Sequence, residues 1–247
     1  YFYSELTTSW KLWKLDLPGT ISQLFQPSDE VLTGIDIHIE SRPSHFVDLQ
    51  AVITAEAGYL GLLGKNRRSQ IRRSIRLLEE IGEISIDAAQ TVSQAHSWFD
   101  EMSRLNIEDL ERKQRTSCFS NDYFQQFHKA LITKALGRSV VIYACSAGDQ
   151  LIGFIYGFFS EGRFLYYQSG FQQFDDNKLK PGQTCHALLI EKLAKQGIKE
   201  YDFLAGTERY KQSLSTNHAL MQWVVLRRDG FVQRIVRKLK GYRNQNH

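Results

Sequence analysis

Three extended runs follow one another with only short turns between them, and this arrangement constrains the fold more than any other feature. The runs cover residues 140–144, 151–159 and 164–169, and they are rich in β-branched and aromatic residues. Gly148-Asp149 and Glu161-Gly162 separate them, and such pairs favour tight hairpin turns. The middle of the chain is therefore predicted to form an antiparallel three-stranded meander.

A helix and a further strand follow the meander. A loop at 175–182 leads into a helix over about 184–196 that ends at Gly197, and residues 200–204 then form a buried strand. Strands joined through a helix are usually parallel neighbours. The predicted fold class is thus α/β (α+β) with a mixed sheet.

Upstream of the meander, the pattern predicts one strand at 34–39, then a helix, a strand and two more helices. The helix covers 66–81, with Ile71, Ile75 and Leu78 on its core-facing side, and the next strand covers 83–87. Thr91 and Gln94 stand in capping-box spacing at the start of the second helix. Ser120 is predicted to cap the third, which ends at Gly137.

Sequence breaks and the C-terminal elements complete the expected organisation. We interpret three proline-containing pairs as breaks between secondary-structure elements: Pro18-Gly19, Pro27-Ser28 and Arg42-Pro43. A helix is predicted over 208–214, a strand over 220–226 and a basic helix to the C-terminus. Because the chain opens with tyrosine and not methionine, we interpret it as a fragment or processed form.

Composition excludes some classes of protein and locates the charge. Apolar residues make up 42% and charged residues 23%, which is globular usage. The longest apolar run, 151–159, is too short to span a membrane.

The net charge of +4 conceals two cationic clusters, six cations without an acid at 65–76 and seven cations with one acid at 227–243. Such clusters suit an anionic ligand, a nucleic acid or a membrane surface, or are solvated helix faces.

Cysteine and histidine spacing gives no support for a metal site. Cys118, Cys145 and Cys185 are far apart and lack CxxC pairing, and the histidines show no HxxxH spacing. No metal is expected, and a reduced, cytoplasmic setting is favoured. A Cys185-His186 nucleophile lacks a recognisable orienting residue.

Element order and three local motifs resemble those of the GNAT acyltransferases. The motifs are residues 64–73 (GKNRRSQIRR), residues 166–170 with the following Pro181-Gly182, and residues 201–206 (YDFLAG) with Tyr210-Lys211. They look like the BioF2-like, CelD-type acetyltransferase subgroup, which is similar to the FemABX peptidyl transferases. The resemblance covers roughly residues 60–228.

The resemblance implies a GNAT acyl-CoA N-acyltransferase fold at 63–228 and a basic C-terminal helix at 229–247. Residues 1–62 would be the tail of a preceding, GNAT-like unit. The implied activity is acyl transfer, with acetyl-CoA or another acyl-CoA as donor and a sugar-type or amine acceptor related to envelope or exopolysaccharide synthesis. Attack on the thioester would be direct.

In this family the backbone N–H groups at a helix start bind the pyrophosphate of the donor. The resemblance places that start at Gly182-Gln183-Thr184, although one glycine stands here where the family motif has two. Pro181-Gly182 is alternatively a simple turn. The full set of candidate donor-binding residues is Ser169, Gly170, Lys178, Lys180, Gly182, Gln183 and Thr184.

Four residues near the following strand are candidates for catalysis. Tyr210 resembles the tyrosine that protonates the CoA sulfur, and Lys211 the lysine that holds an acceptor phosphate or an oxyanion. Asp202 and Glu208 are candidate bases, or structural ion-pair partners.

Arg68, Arg72 and Arg76 are candidates for binding a phosphate or other anion of the substrate.

Two other functions remain open from the sequence. A FemABX-like enzyme would take an aminoacyl group from charged tRNA, with the arginine-rich helix holding RNA phosphates. A non-catalytic GNAT-like module would use its basic helices to bind anionic polymers. The sequence shows neither RNA-binding aromatic motifs nor an apolar face beside the basic residues, so neither feature supports the non-catalytic module.

Overall fold

The computed structural model describes residues 12–18, 35–206 and 208–228 of the 247-residue chain. The chain forms two compact units, one of His45–His218 and one of Tyr1–Ser44 with Ala219–His247. The boundary at residue 62, and the origin of residues 1–62 in a preceding GNAT-like unit, stay predictions. The helix expected at 229–247 and the breaks at residues 19 and 27–28 lie outside the described residues.

The smaller unit contains a pair of antiparallel strands. Strand β1 (Leu12–Pro18) pairs with β8 (Asn217–Arg228), with Leu12 opposite Arg227. Strand β2 (Ile35–Asp48) begins where alternation predicts it. The predicted break at Arg42-Pro43 is wrong, because β2 continues through it. Proline has a φ compatible with extended backbone, and the residue before it also favours that conformation.

The larger unit is built on five adjacent strands in the spatial order β7-β6-β5-β4-β3. Neighbours are antiparallel except β6 and β7, which are parallel, so the predicted meander, parallel crossover and mixed sheet are confirmed. Glu161 and Gly162 have φ values of 52° and 77°, as a tight hairpin turn requires. The strands are β3 (Ile84–Ala88), β4 (Val140–Ala147), β5 (Gln150–Ser160), β6 (Arg163–Phe171) and β7 (Glu200–Ala205).

In the described part of the chain, seven α-helices accompany these strands. They are α1 (Leu49–Thr54), α2 (Gly58–Leu62), α3 (Lys65–Glu79), α4 (Val92–Arg112), α5 (Asp122–Ala135), α6 (Pro181–Lys195) and α7 (Arg209–Leu214).

Two of the predicted helix starts are wrong, and local chemistry explains both. Asn121, not Ser120, caps α5, because its side chain accepts hydrogen bonds from two first-turn amides while Ser120 lies in a preceding 3-10 turn. Helix α6 starts at Pro181, three residues early, because proline suits the first helical position. The predicted Thr91 cap is confirmed, since its side chain accepts from Gln94 N.

The helices cover both faces of the five strands. On one face Phe99 and Met102 of α4 and Ile132 of α5 pack in one apolar cluster. On the other face Ile71 of α3 and Leu189 of α6 belong to a second cluster. Helix α3 turns Ile71, Ser74 and Leu78 inward, so most of its arginines remain exposed. This layering places the ends of β6 and β7 between α4 on one side and α6 on the other.

Candidate active site

The parallel strands β6 and β7 separate from each other at one end. Their described pairing covers only Arg163–Leu165 against Glu200–Asp202. Strand β6 then continues to Phe171 and β7 to Ala205. Both strands run in the same direction, so a wedge opens between their carboxyl ends. The candidate catalytic residues lie in β7 and just after its carboxyl end.

A bulge in β6 changes which side chains face the wedge. Gly157 of β5 pairs with Tyr166 and Tyr156 pairs with Gln168, so Tyr167 is an extra residue. The extra residue places Ser169 on the same face of β6 as Tyr166. Their hydroxyl oxygens are 2.7 Å apart, and both side chains are buried.

Helix α7 adds a second tyrosine hydroxyl to this network. The Tyr210 side chain lies near Tyr166, and each hydroxyl affects the pKa of the other. Burial raises the pKa of both hydroxyls, with a smaller contribution in each case from the nearby carboxylate of Glu208. Tyr210 therefore remains protonated at working pH, and its hydroxyl can act as a proton donor but not as a base.

A buried histidine supports the ring of Tyr210. The His186 and Tyr210 rings are stacked with centroids 6.2 Å apart, and the Tyr166 ring meets His186 edge-on at 4.7 Å. His186 Nδ1 is 2.7 Å from Tyr201 Oη. Burial, with the positive charge of Lys211, lowers the pKa of His186 to about 3. The imidazole is therefore neutral and acts as part of the aromatic packing.

Lys211 and Glu208 lie together at the start of α7. Lys211 Nζ is 3.4 Å from Glu208 Oε2, and the lysine is buried while the glutamate is exposed. Both approach the backbone of Gly206, where an added Cβ would lie 2.1 Å from Glu208 Oε2 and 2.7 Å from Lys211 Nζ. A larger residue here would require the ends of both side chains to move. The pair leaves the Glu208 carboxylate at the surface, at the start of α7.

Asp202 has structural partners. Its Oδ1 accepts a hydrogen bond from Leu204 N at 2.7 Å, and its Oδ2 lies 3.6 Å from Arg163 Nη1. Leu204 has a φ of 60°, which is unfavourable for a leucine. The Asp202 carboxylate holds that left-handed residue at the end of β7. These contacts support the structural alternative for Asp202, and its role as a base stays a prediction.

The start of α6 lies beside the end of β6. The ring of Phe171 packs against Gly182, where an added Cβ would lie 3.0 Å from Phe171 Cε2. Pro181 has no N–H, and the first-turn amides of Gly182 and Gln183 have no acceptor within the helix. Lys180 is half-buried just before them and Lys178 is exposed. These groups form a cationic helix start suited to a phosphate.

Thr184 has a different position from the one predicted for a phosphate ligand. Its side chain is fully buried, and its hydroxyl donates to Ser74 Oγ of α3 at 2.8 Å. The same oxygen accepts a hydrogen bond from Lys180 N at 2.9 Å. Thr184 therefore anchors α6 to α3 and does not face a donor.

The backbone at Ser169 and Gly170 is fixed to α4. Ser169 O accepts a hydrogen bond from Asn106 Nδ2 at 2.7 Å. A Cβ on Gly170 would lie 2.3 Å from Met102 O, so only glycine allows this approach. These residues are rigid at the mouth of the wedge, where a backbone group can meet a thioester carbonyl.

The three candidate anion-binding arginines do not form one site with the tyrosines. Arg68 Nη2 donates to Gly61 O and Leu63 O, each at 2.9 Å, and so completes the end of α2. Arg72 and Arg76 are exposed along a groove that α3 alone lines. In the described part of the chain, no carboxylate lies within 4 Å of either of them.

Sequence reasoning missed three contributors to this site. Tyr166 was named only as part of a motif, His186 only as the partner of Cys185 in an unsupported nucleophile pair, and Ser74 was not considered. The bulge at Tyr167 that turns Ser169 toward Tyr166 has no recognisable sequence signal. For Ser74 a signal existed, because a serine on the apolar stripe of a helix requires a buried partner.

Searches for a metal cluster and a membrane span gave negative results within the described residues. No three His, Cys, Asp or Glu side chains converge there as a metal ion would require. None of the helices described is both long and apolar enough to cross a bilayer.

Comparisons with known proteins agree with this architecture. The family model for the acetyltransferase (GNAT) domain matches residues 65–212. A sequence search of curated proteins finds no match.

Solved structures with a similar fold include FemX, at a TM-score of 0.57 and 10% identity over 86% of this chain and 71% of that one. L-PGS from Bacillus licheniformis gives a TM-score of 0.56 and 12% identity over 87% and 67%. A conserved protein of unknown function from Bacteroides thetaiotaomicron gives 0.57 and 11% over 87% and 69%. At these identities the likeness shows the fold alone.

Proposed function

Since this chain belongs to the acetyltransferase (GNAT) domain family and is an acyltransferase, we propose that it transfers an acyl group from acyl-CoA to an amine or hydroxyl acceptor at the wedge between β6 and β7. The observation that carries the proposal is the buried hydroxyl network of Tyr210, Tyr166 and Ser169 at the point where the strands separate. A thioester in the wedge would lie beside a protonated tyrosine.

The donor phosphates would bind at the start of α6. The free amides of Gly182 and Gln183 and the positive end of the helix favour a pyrophosphate, and Lys180 adds charge. The pantetheine arm would then run between the separated strands. The Ser169–Gly170 backbone, fixed by Asn106 and α4, would meet the thioester carbonyl.

The reaction would proceed by direct attack. The acceptor nitrogen or oxygen forms a bond to the acyl carbon, the carbon–sulfur bond breaks, and Tyr210 donates its proton to the departing sulfur. The acceptor proton leaves to solvent or to the exposed carboxylate of Glu208 at the start of α7. Lys211 holds Glu208 in place. No covalent enzyme intermediate is required.

The acceptor we propose is a sugar-type molecule of envelope or exopolysaccharide synthesis, and the subgroup is the BioF2-like, CelD type. The three motifs that resemble that subgroup support this assignment. A second candidate is aminoacyl transfer from charged tRNA, which the exposed row of Arg72, Arg73 and Arg76 favours.

A donor assay separates the two functions. The chain is incubated with radiolabelled acetyl-CoA and a panel of amino sugars, and in parallel with charged tRNA and the same panel. We expect label transfer from acetyl-CoA only. Transfer from charged tRNA alone would replace the proposed function by the second candidate.

A further inference from the structure

A cleft of about 520 Å³ lies between α3 and α7, outside the tyrosine network. It is formed by the end of α2, the first turn of α3 and residues 212–215 in and after α7. None of its ten lining residues, all in the described part of the chain, is acidic. Its volume suits a small molecule.

The polar groups of the cleft come from separate elements. Lys65, Asn66, Arg67 and Gln70 contribute from α3, and Gln212 from α7. Lys65 and Gln212 are exposed and can move to meet a ligand. The hydroxyls of Ser213 and Ser215 donate to backbone carbonyls of α7, so they are not available as donors to a ligand.

Arg67 has an unused donor in a fixed position. Its Nη1 donates to Gln70 Oε1 at 3.1 Å, which holds the guanidinium at the cleft. Its Nε is buried without a hydrogen-bond partner. An unpaired buried donor on a cation costs free energy unless an acceptor binds there. The acceptor that would satisfy it is anionic, because Lys65 lies beside it and no carboxylate lines the cleft.

We propose that this cleft binds the phosphoryl groups of a small phosphorylated acceptor. Arginine and lysine without a neighbouring acid favour phosphate over a neutral sugar. The cleft shares no lining residue with the start of α6, so it is separate from the proposed donor-phosphate site. Gln212 follows Tyr210 by two residues in α7, so an acceptor anchored here lies next to the helix that carries the proton donor. The inference rests on the proposed function.

The test is calorimetric titration of the full chain with inorganic pyrophosphate at constant ionic strength, with saturating acetyl-CoA present. We expect a Lys65→Gln, Arg67→Gln double variant to weaken binding at least about tenfold. The matched control, Lys134→Gln with Arg138→Gln, removes one lysine and one arginine at exposed positions in and after α5 and should leave binding within about threefold. Arg67→Lys keeps the charge but removes the Nε donor, so it should weaken binding, though by less than the double variant.

Three outcomes would overturn the proposal. These are no pyrophosphate binding, equal weakening in the two double variants, and pyrophosphate binding that acetyl-CoA abolishes, which would place the anion at the donor site. Thermal unfolding of each variant shows whether it is folded. Acetyl-CoA binding is measured separately, so failure of the proposed function and failure of this site give different results.

Discussion

At the scale of single residues, the hydroxyl of Tyr210 is the group on which the chemistry depends. Burial and the neighbouring Tyr166 raise its pKa and keep it protonated. It is the hydroxyl that α7 brings to the wedge. The stacked, neutral His186 fixes the ring that carries it. Position and protonation state together make Tyr210 the expected donor of the proton that the leaving sulfur requires.

Replacing Tyr210 by phenylalanine keeps the ring and removes the proton donor. We expect Tyr210→Phe to lower kcat for acyl transfer roughly 100-fold, the usual range for a lost general acid, without changing the Kd for acetyl-CoA. Tyr123→Phe, at an exposed tyrosine of α5, is the control and should leave kcat unchanged. Unaltered transfer by Tyr210→Phe would remove this residue from the mechanism.

His186 predicts a pH dependence of stability. Its pKa is about 3 in the folded chain against an ordinary value of 6.5, so the unfolded state binds a proton first as the pH falls. The stability that the neutral His186 contributes is fully present above about pH 6.5 and is lost progressively toward about pH 3. The loss is about 1.4 kcal/mol per pH unit.

The measurement is urea unfolding at about pH 7 and about pH 4.5. We expect His186→Phe to lose less stability over this interval than the unmodified chain, since phenylalanine cannot bind the proton. His38→Gln, at an exposed histidine, serves as control and should follow the unmodified chain. An identical loss in His186→Phe would show that His186 does not titrate as described.

At the scale of elements, the position of α6 depends on one buried serine of α3. Ser74 Oγ accepts from both Lys180 N and Thr184 Oγ1. The donor-binding end of α6 is therefore set by α3, a helix that precedes the first strand of the five. The sequence argument gave this helix a core-facing side and a positive charge but did not connect it with α6.

Ser74→Ala would leave both donors unpaired in the core. We expect it to lower the free energy of unfolding by about 1–3 kcal/mol and to weaken acetyl-CoA binding, because the start of α6 shifts. Ser69→Ala, at an exposed serine of the same helix, should change stability by less than about 0.5 kcal/mol. Equal effects of the two substitutions on denaturant unfolding would contradict the anchoring role.

Periodicity and turn chemistry predicted most elements of the larger unit, because each is governed by neighbours along the chain. The hairpins follow from Gly148 and Gly162, and the parallel crossover follows from the helix between two strands. The side-chain partners were not predictable, because they depend on register. Tyr166 meets Ser169 only through the bulge at Tyr167, and Thr184 meets Ser74 only through the packing of α6 against α3.

At the scale of the whole molecule, cationic surface is distributed over separate places. The start of α6, the cleft beside α7 and the exposed arginine row of α3 each present positive charge in the larger unit. The first two suit the two substrates of a transfer reaction. The third is the feature that the tRNA-dependent alternative would use.

The most direct test of the account is calorimetric titration of the chain with acetyl-CoA. We predict micromolar affinity, about −8 kcal/mol, which Gly182→Asp abolishes because it adds a Cβ against Phe171 and a negative charge at the helix start. Gln150→Glu, which adds the same charge at an exposed site on β5, should bind normally. Absence of binding to the unmodified chain, or equal binding by Gly182→Asp, would contradict an acyl-CoA site at α6.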